Sequence, residues 1–79
     1  MWEKALSYLR QAGAKAFARS AHHEAVGYLE KALTALKYLP ETHETLEQAI
    51  DVRFDLRNAL FPLAEFGRIE GYLREAESL

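Results

Sequence analysis

The residues of this 79-residue chain that could do chemistry fall into three sets. The first is His22, His23 and His43. A metal pair on a helix needs a spacing of three or four residues, so that both imidazoles share one face. His22 and His23 are adjacent and point about 100° apart on a helix, and His43 stands in a polar linker. With no cysteine present, thiolate metal sites and disulfides are excluded. No metal and no cofactor is therefore expected. The second set is Asp51 and Asp55, four residues apart on one helix face, with Arg53 and Arg57 beside them. A general acid–base pair needs a pocket, which four short helices rarely enclose. Local ion pairs, each worth roughly a few tenths of a kcal/mol, are the expected role. There is no catalytic constellation, and the chain is expected not to be an enzyme.

The third set is Phe54, Asn58 and Phe61. Two rings with an amide between them suit recognition of an extended or helical peptide: the rings supply contact area and the amide hydrogen-bonds a backbone. The competing reading is that these aromatics pack between structural units, or against a unit that follows.

Helices must position all of these residues. Trp2, Ala5, Leu6, Leu9, Ala12, Gly13 and Ala16 form one apolar stripe and predict a first helix over Trp2–Ala18. Gly13 in its middle costs about 1 kcal/mol against alanine, which a close helix crossing would justify. Ser20 reads as the N-cap of a second helix, with Ala25, Tyr28, Leu29, Ala32, Leu33 and Leu36 on its stripe. The short connection makes the two helices antiparallel neighbours. Pro40 ends the second helix near Leu39. After the polar linker ETHET, Thr42 or Thr45 caps a third helix, with Thr45 to Gln48 fitting a capping box. This helix runs to about Leu63 and has two apolar faces, one through Leu46, Ala49, Val52, Leu56, Ala59, Leu60 and Leu63, the other through Ile50, Phe54 and Phe61. Pro62 kinks or ends it. A fourth helix, Phe66–Leu79, carries Phe66, Ile69, Leu73 and Ala76. It stops still in apolar register, as a fragment of a larger protein would.

Apolar residues make up 49% and charged residues 28% of the chain, the balance of an ordinary globular domain. No apolar run approaches the roughly 18 residues of a membrane span, and MWEKALSYLRQ has no signal-peptide core. A cytoplasmic protein that does not engage membrane is expected. The net charge of −2 is unevenly spread. Residues 1–40 hold six Lys/Arg and three Asp/Glu, whereas residues 41–79 hold four and nine. Such halves attract within one chain or between copies stacked head to tail, unless the charges simply scatter over solvated faces. No basic stripe of the kind that binds nucleic acid is present.

An internal repeat organises the chain. Tyr28-Leu29-Glu30-Lys31-Ala32 returns as Tyr72-Leu73-Arg74-Glu75-Ala76, 44 positions later. At that offset Ala12 meets Leu56, Ala16 meets Leu60, Phe17 meets Phe61, Ala25 meets Ile69 and Leu29 meets Leu73. Each half is a helix–turn–helix. The pattern resembles the tetratricopeptide repeat, W-x2-L-G-x2-Y followed by A-x3-F and a small residue. Leu9, Ala12, Gly13 and Ala16, then Ala25, Leu29 and Ala32, stand in those positions in the first half. Arg53, Leu56, Arg57 and Leu60, then Ile69, Leu73 and Ala76, stand in them in the second. Each unit is about ten residues longer than the family's usual period of about 34.

YLRQAGAKAFARSAHHEAVGYLEKAL, LPETHETLEQAIDVRFDLRNAL and PLAEFGR further resemble the C-terminal helical region of large bacterial signalling proteins. In those proteins a class III adenylate or guanylate cyclase domain and an AAA-type ATPase precede tetratricopeptide-like repeats. The resemblance implies an all-α fold: two antiparallel helical hairpins, four helices in all, stacked as a right-handed superhelical array. It implies one domain over residues 1–79, with unit one at about 2–40 and unit two at about 45–79. The function it implies is that of a non-catalytic interaction or scaffold module with a protein or peptide partner. Family ligands contact the inner face of each unit's first helix. Those positions are Ser7, Arg10, Ala14 and Phe17 in unit one, and Asp51, Phe54, Asn58 and Phe61 in unit two. Two repeats are fewer than the three or so usual for a stable array, so self-association is also expected. The alternative role is a spacer or homodimerisation segment with no peptide ligand.

Overall fold

Gly13 marks the place where the first two helices close on each other. A methyl group added to it would meet the Leu29 side chain at 3.0 Å and the Ala25 carbonyl oxygen at 3.7 Å. The helices concerned are α1 (Trp2–Ala18) and α2 (His22–Leu36) of a computed structural model that describes residues 2–78. α3 (His43–Leu60), a 3-10 turn (Phe61–Leu63) and α4 (Phe66–Ser78) follow. The described residues form four α-helices and no strand, so the chain is all-α. The expected end of the fourth helix at Leu79 lies outside the described residues.

α2 packs on α1 and on α3, and α3 packs on α4. The Cα trace is 14 Å thick in its shortest direction, room for two layers of helix and a single seam between them. Small residues fill the α1–α2 side of that seam: Ala16, Ala25 and Ala32 are fully buried. Large ones fill the α3 side, where Leu56, Leu60 and Val52 are equally inaccessible.

The turn inside each hairpin is built the same way. Ser20 and Ala64, 44 positions apart, both take the left-handed conformation, with φ of 62° and 58°. The Ser20 N–H donates to the Phe17 carbonyl at 2.9 Å, and the Ala64 N–H to that of Phe61 at 3.0 Å. Phe17 meets His22 edge to face at 5.5 Å, and Phe61 meets Phe66 edge to face at 5.7 Å. The repeat read from the sequence is therefore a repeat of local geometry.

Four helix ends differ from expectation, one of them the end of α3, which stops at Leu60 where a 3-10 turn containing Pro62 begins. Ser20 is not a cap: it reverses the chain, and Ala21 takes the N-cap position without a side-chain bond. α2 ends at Leu36, because Lys37, Tyr38 and Leu39 donate to carbonyls three residues back and tighten the last turn before Pro40. The capping box of α3 joins Thr42 and Thr45, not Thr45 and Gln48. The Thr45 N–H donates to Thr42 Oγ1 at 3.1 Å and the Thr42 N–H to Thr45 Oγ1 at 2.8 Å. Thr45 also donates to the Pro40 carbonyl at 2.9 Å, which ties the linker to the helix it opens.

Candidate protein-binding groove

α1 and α3 both lean on α2 without packing along one another, and a groove runs between them. Its wide end, about 550 Å³, is lined by Ser7, Arg10, Gln11 and Ala14 of α1 and by Gln48 and Asp55 of α3, with Leu39 and Pro40 at the rim. Its middle, about 180 Å³, is floored by Gly13 and Leu29 and flanked by Ala14, Phe17, Asp55 and Asn58. Its far end, about 470 Å³, is walled by Phe17, Phe61, Pro62, Arg57 and Asn58. Neighbouring segments share residues, Arg10, Ala14 and Asp55 at one join and Phe17 and Asn58 at the other, so the groove is continuous. Gly13 and Ala14 of α1 keep its floor low, because no long side chain rises from them.

One ion pair bridges the groove. Arg10 Nη2 stands 3.7 Å from Asp55 Oδ2, with both side chains part-exposed. Burial raises the Asp55 carboxyl above its ordinary range; Arg10 opposes the shift and the charge of Asp51 adds to it. Further along, both the Arg57 Nη2 and Nε groups donate to the Asn58 carboxamide oxygen, at 3.1 and 3.4 Å. Among the described residues the amide N–H groups of Asn58 meet no acceptor. The groove thus offers an acidic group beside an arginine at its wide half, and aromatic walls with an amide at the other.

Of the eight positions expected to contact a partner, Ser7, Arg10, Ala14, Phe17, Asn58 and Phe61 line the groove. Asp51 and Phe54 do not line any of its three segments. Phe54 is 39% exposed and carries the Arg57 guanidinium 5.5 Å above its ring. Helical phase does not exclude them, since around the helix axis Asp51 falls between Asp55 and Asn58, and Phe54 falls beside Phe61. Gln48 and Asp55 of α3 also line the groove. These two were missed. The seven-residue step between them places both beside the buried Val52, but spacing alone does not say that this flank faces α1.

Other polar groups hold the fold. Glu30 of α2 accepts from the Tyr72 hydroxyl of α4 at 2.8 Å and pairs with Arg68, which also pairs with Glu65 at 3.3 Å. Burial, and then the bond to Glu30, raise the Tyr72 phenol above its usual range. His43 pairs with Glu47 at 3.1 Å, and His22 lies against Phe17. Among the described residues no three His, Asp or Glu side chains gather as a metal site would require. No described helix is long and apolar enough to cross a membrane. No family model, curated protein or solved structure matches the chain.

Proposed function

We propose that this chain is a non-catalytic protein-interaction module of tetratricopeptide type, from the regulatory region of a bacterial signalling protein. On this reading a peptide segment of the partner lies in the groove between α1 and α3. The observation that carries it is the continuity of that groove from Ser7 and Arg10 to Phe17, Asn58 and Phe61. The groove joins the first helices of both hairpins, the helices that carry ligand contacts in the family the sequence resembles. Rings on both walls, Phe17 from α1 and Phe61 from the end of α3, with the Asn58 amide between them fit an apolar side chain flanked by backbone carbonyls.

Selection of a random peptide library against the chain tests the proposal. Enriched peptides are expected to perturb the amide signals of Arg10, Phe17, Asp55 and Asn58, and to lose roughly tenfold in affinity on Asn58→Ala, the effect of about 1.4 kcal/mol. Peptides whose binding ignores Asn58 and Phe17, or no enriched peptide at all, would refute it. A second reading, a spacer or homodimerisation segment, is favoured by the exposed rings that the groove leaves aside. Phe54 and Phe66 are 39% and 57% exposed.

A further inference from the structure

The uncovered edge of the second hairpin can be read against the covered edge of the first, because the 44-residue step relates them. At the junction inside the chain, α3 meets the first hairpin with Val52 and Ala59, both fully buried. Arg53, paired with Glu75 of α4 at 2.8 Å, marks the α4 flank of α3. Asp55 marks the groove flank. Val52 and Ala59 fall between the two by helical phase. From α2, Val26 and Leu33 lie on the stripe that includes Glu30, the residue reaching α4. Val26 is buried and Leu33 borders Leu46, Ala49 and Arg53 of α3.

The same step carries these positions to the two outer faces of the molecule. Val26 and Leu33 become Glu70 and Glu77 of α4, both exposed. Val52 and Ala59 become Tyr8 and Lys15 of α1, and Gln48 becomes Lys4, all exposed. Apolar on apolar at the inner junction turns into acid facing base at the outer one. The outward stripe of α1, Lys4, Tyr8, Gln11 and Lys15, contains no acid. That of α4 contains one base, Arg74, already paired with Glu70 at 2.6 Å. The excess of Lys/Arg in residues 1–40 and of Asp/Glu in residues 41–79 has the same sense.

We infer that the chain associates with itself head to tail. α1 of a second copy lies against the α3–α4 edge of the first, in the manner of α3 against α2. The helix directions of the inner junction set Lys4 toward Glu77 and Lys15 toward Glu70. Tyr8 lies beside the ring edge of Phe54, Phe61 and Phe66, and Phe54 and Phe61 gain cover they lack in the single chain. The two surfaces differ, so the contact is heterologous and leaves a free head and a free tail after each addition. Growth is therefore open-ended. Its charged part weakens as salt shortens the range of the attraction.

Sedimentation velocity on the whole chain, from micromolar to millimolar concentration, tests this independently of any peptide. At low salt the average mass is expected to rise past that of a dimer, and to fall back at high salt. The double variants Lys4→Glu/Lys15→Glu and Glu70→Lys/Glu77→Lys each shift the association midpoint upward by roughly tenfold. An equimolar mixture of the two recovers association, because every junction in it again sets acid against base. Circular dichroism of each variant checks that the helices persist, and the two variants report on opposite ends of the molecule. A mass independent of concentration at low salt, saturation at a closed dimer, or indifference to both charge reversals would overturn the inference. So would a mixture that stays monomeric.

Discussion

Replacing Gly13 by alanine sets two effects of known size against each other. Alanine in a helix interior is favoured over glycine by about 1 kcal/mol. Against that, the new methyl would stand 3.0 Å from Leu29 Cγ and 3.1 Å from Leu29 Cδ2. Leu29 is 3% exposed, and the nearer atom is its branch point, so relief needs the whole side chain to turn rather than its tip. Forcing a methylene into a packed seam costs about 1–3 kcal/mol. The balance is a net loss of about 1 kcal/mol. In a domain of this size that lowers the melting temperature by about 4–8 °C. Gly27, in the middle of α2, supplies the control, because a methyl group there meets nothing within 4 Å. Gly27→Ala is expected to gain close to the full propensity difference, about 1 kcal/mol. Thermal and urea unfolding followed by circular dichroism measure both. If Gly13→Ala stabilised the chain as much as Gly27→Ala, the close approach of α1 and α2 would not be the reason glycine stands at position 13.

The matched turns make a second test. Ser20→Gly and Ala64→Gly relieve left-handed strain at φ of 62° and 58°, and each is expected to stabilise the fold by about 1 kcal/mol; unequal signs would break the equivalence of the two turns. The third concerns Asp55, whose carboxyl is raised by burial. A folded-state value above the unfolded 3.8 means that the proton favours the folded chain. That contribution is complete below the unfolded value and is lost as pH rises through the folded one. Asp55→Asn is therefore expected to be neutral or slightly stabilising at neutral pH, by no more than about 0.5 kcal/mol, with the advantage fading in acid. Urea titrations across the acid range measure it, and an advantage that grew as pH fell would contradict the sign.

Much of the fold was legible because it is local. The stripe from Trp2 to Ala16 gave α1 its bounds, and Gly13 announced a close crossing. Ser20 misled because serine serves both caps and turns, and only the backbone conformation separates the roles. The repeat held the answer, since Ala64 stands opposite Ser20 and alanine has no capping oxygen. The groove was legible by half. Periodicity shows that α3 has a buried centre at Val52 and Leu56 and two flanks beside it. Which flank faces α1 depends on how the linker carries the chain across α2, and residue spacing does not encode that. Arg10, Phe17, Asn58 and Phe61 were thus reached through a resemblance to helical repeats, while Gln48 and Asp55 follow only from how the helices pack. The far end of α2 blurs for another reason: its stripe continues into a tightened turn whose hydrogen bonds are no longer those of an α-helix.

Trp2 is the chain's only tryptophan, and it stacks on Tyr38 with ring centroids 4.3 Å apart and planes 9° from parallel. The pair joins the first turn of α1 to the segment just past α2, at the open mouth of the first hairpin. The molecule therefore carries an intrinsic optical reporter at one corner. Emission from Trp2 follows the opening of that corner, while ellipticity at the helix band follows the whole chain. Two melting curves recorded on one sample can then separate fraying of the hairpin mouth from loss of the fold, with no label introduced.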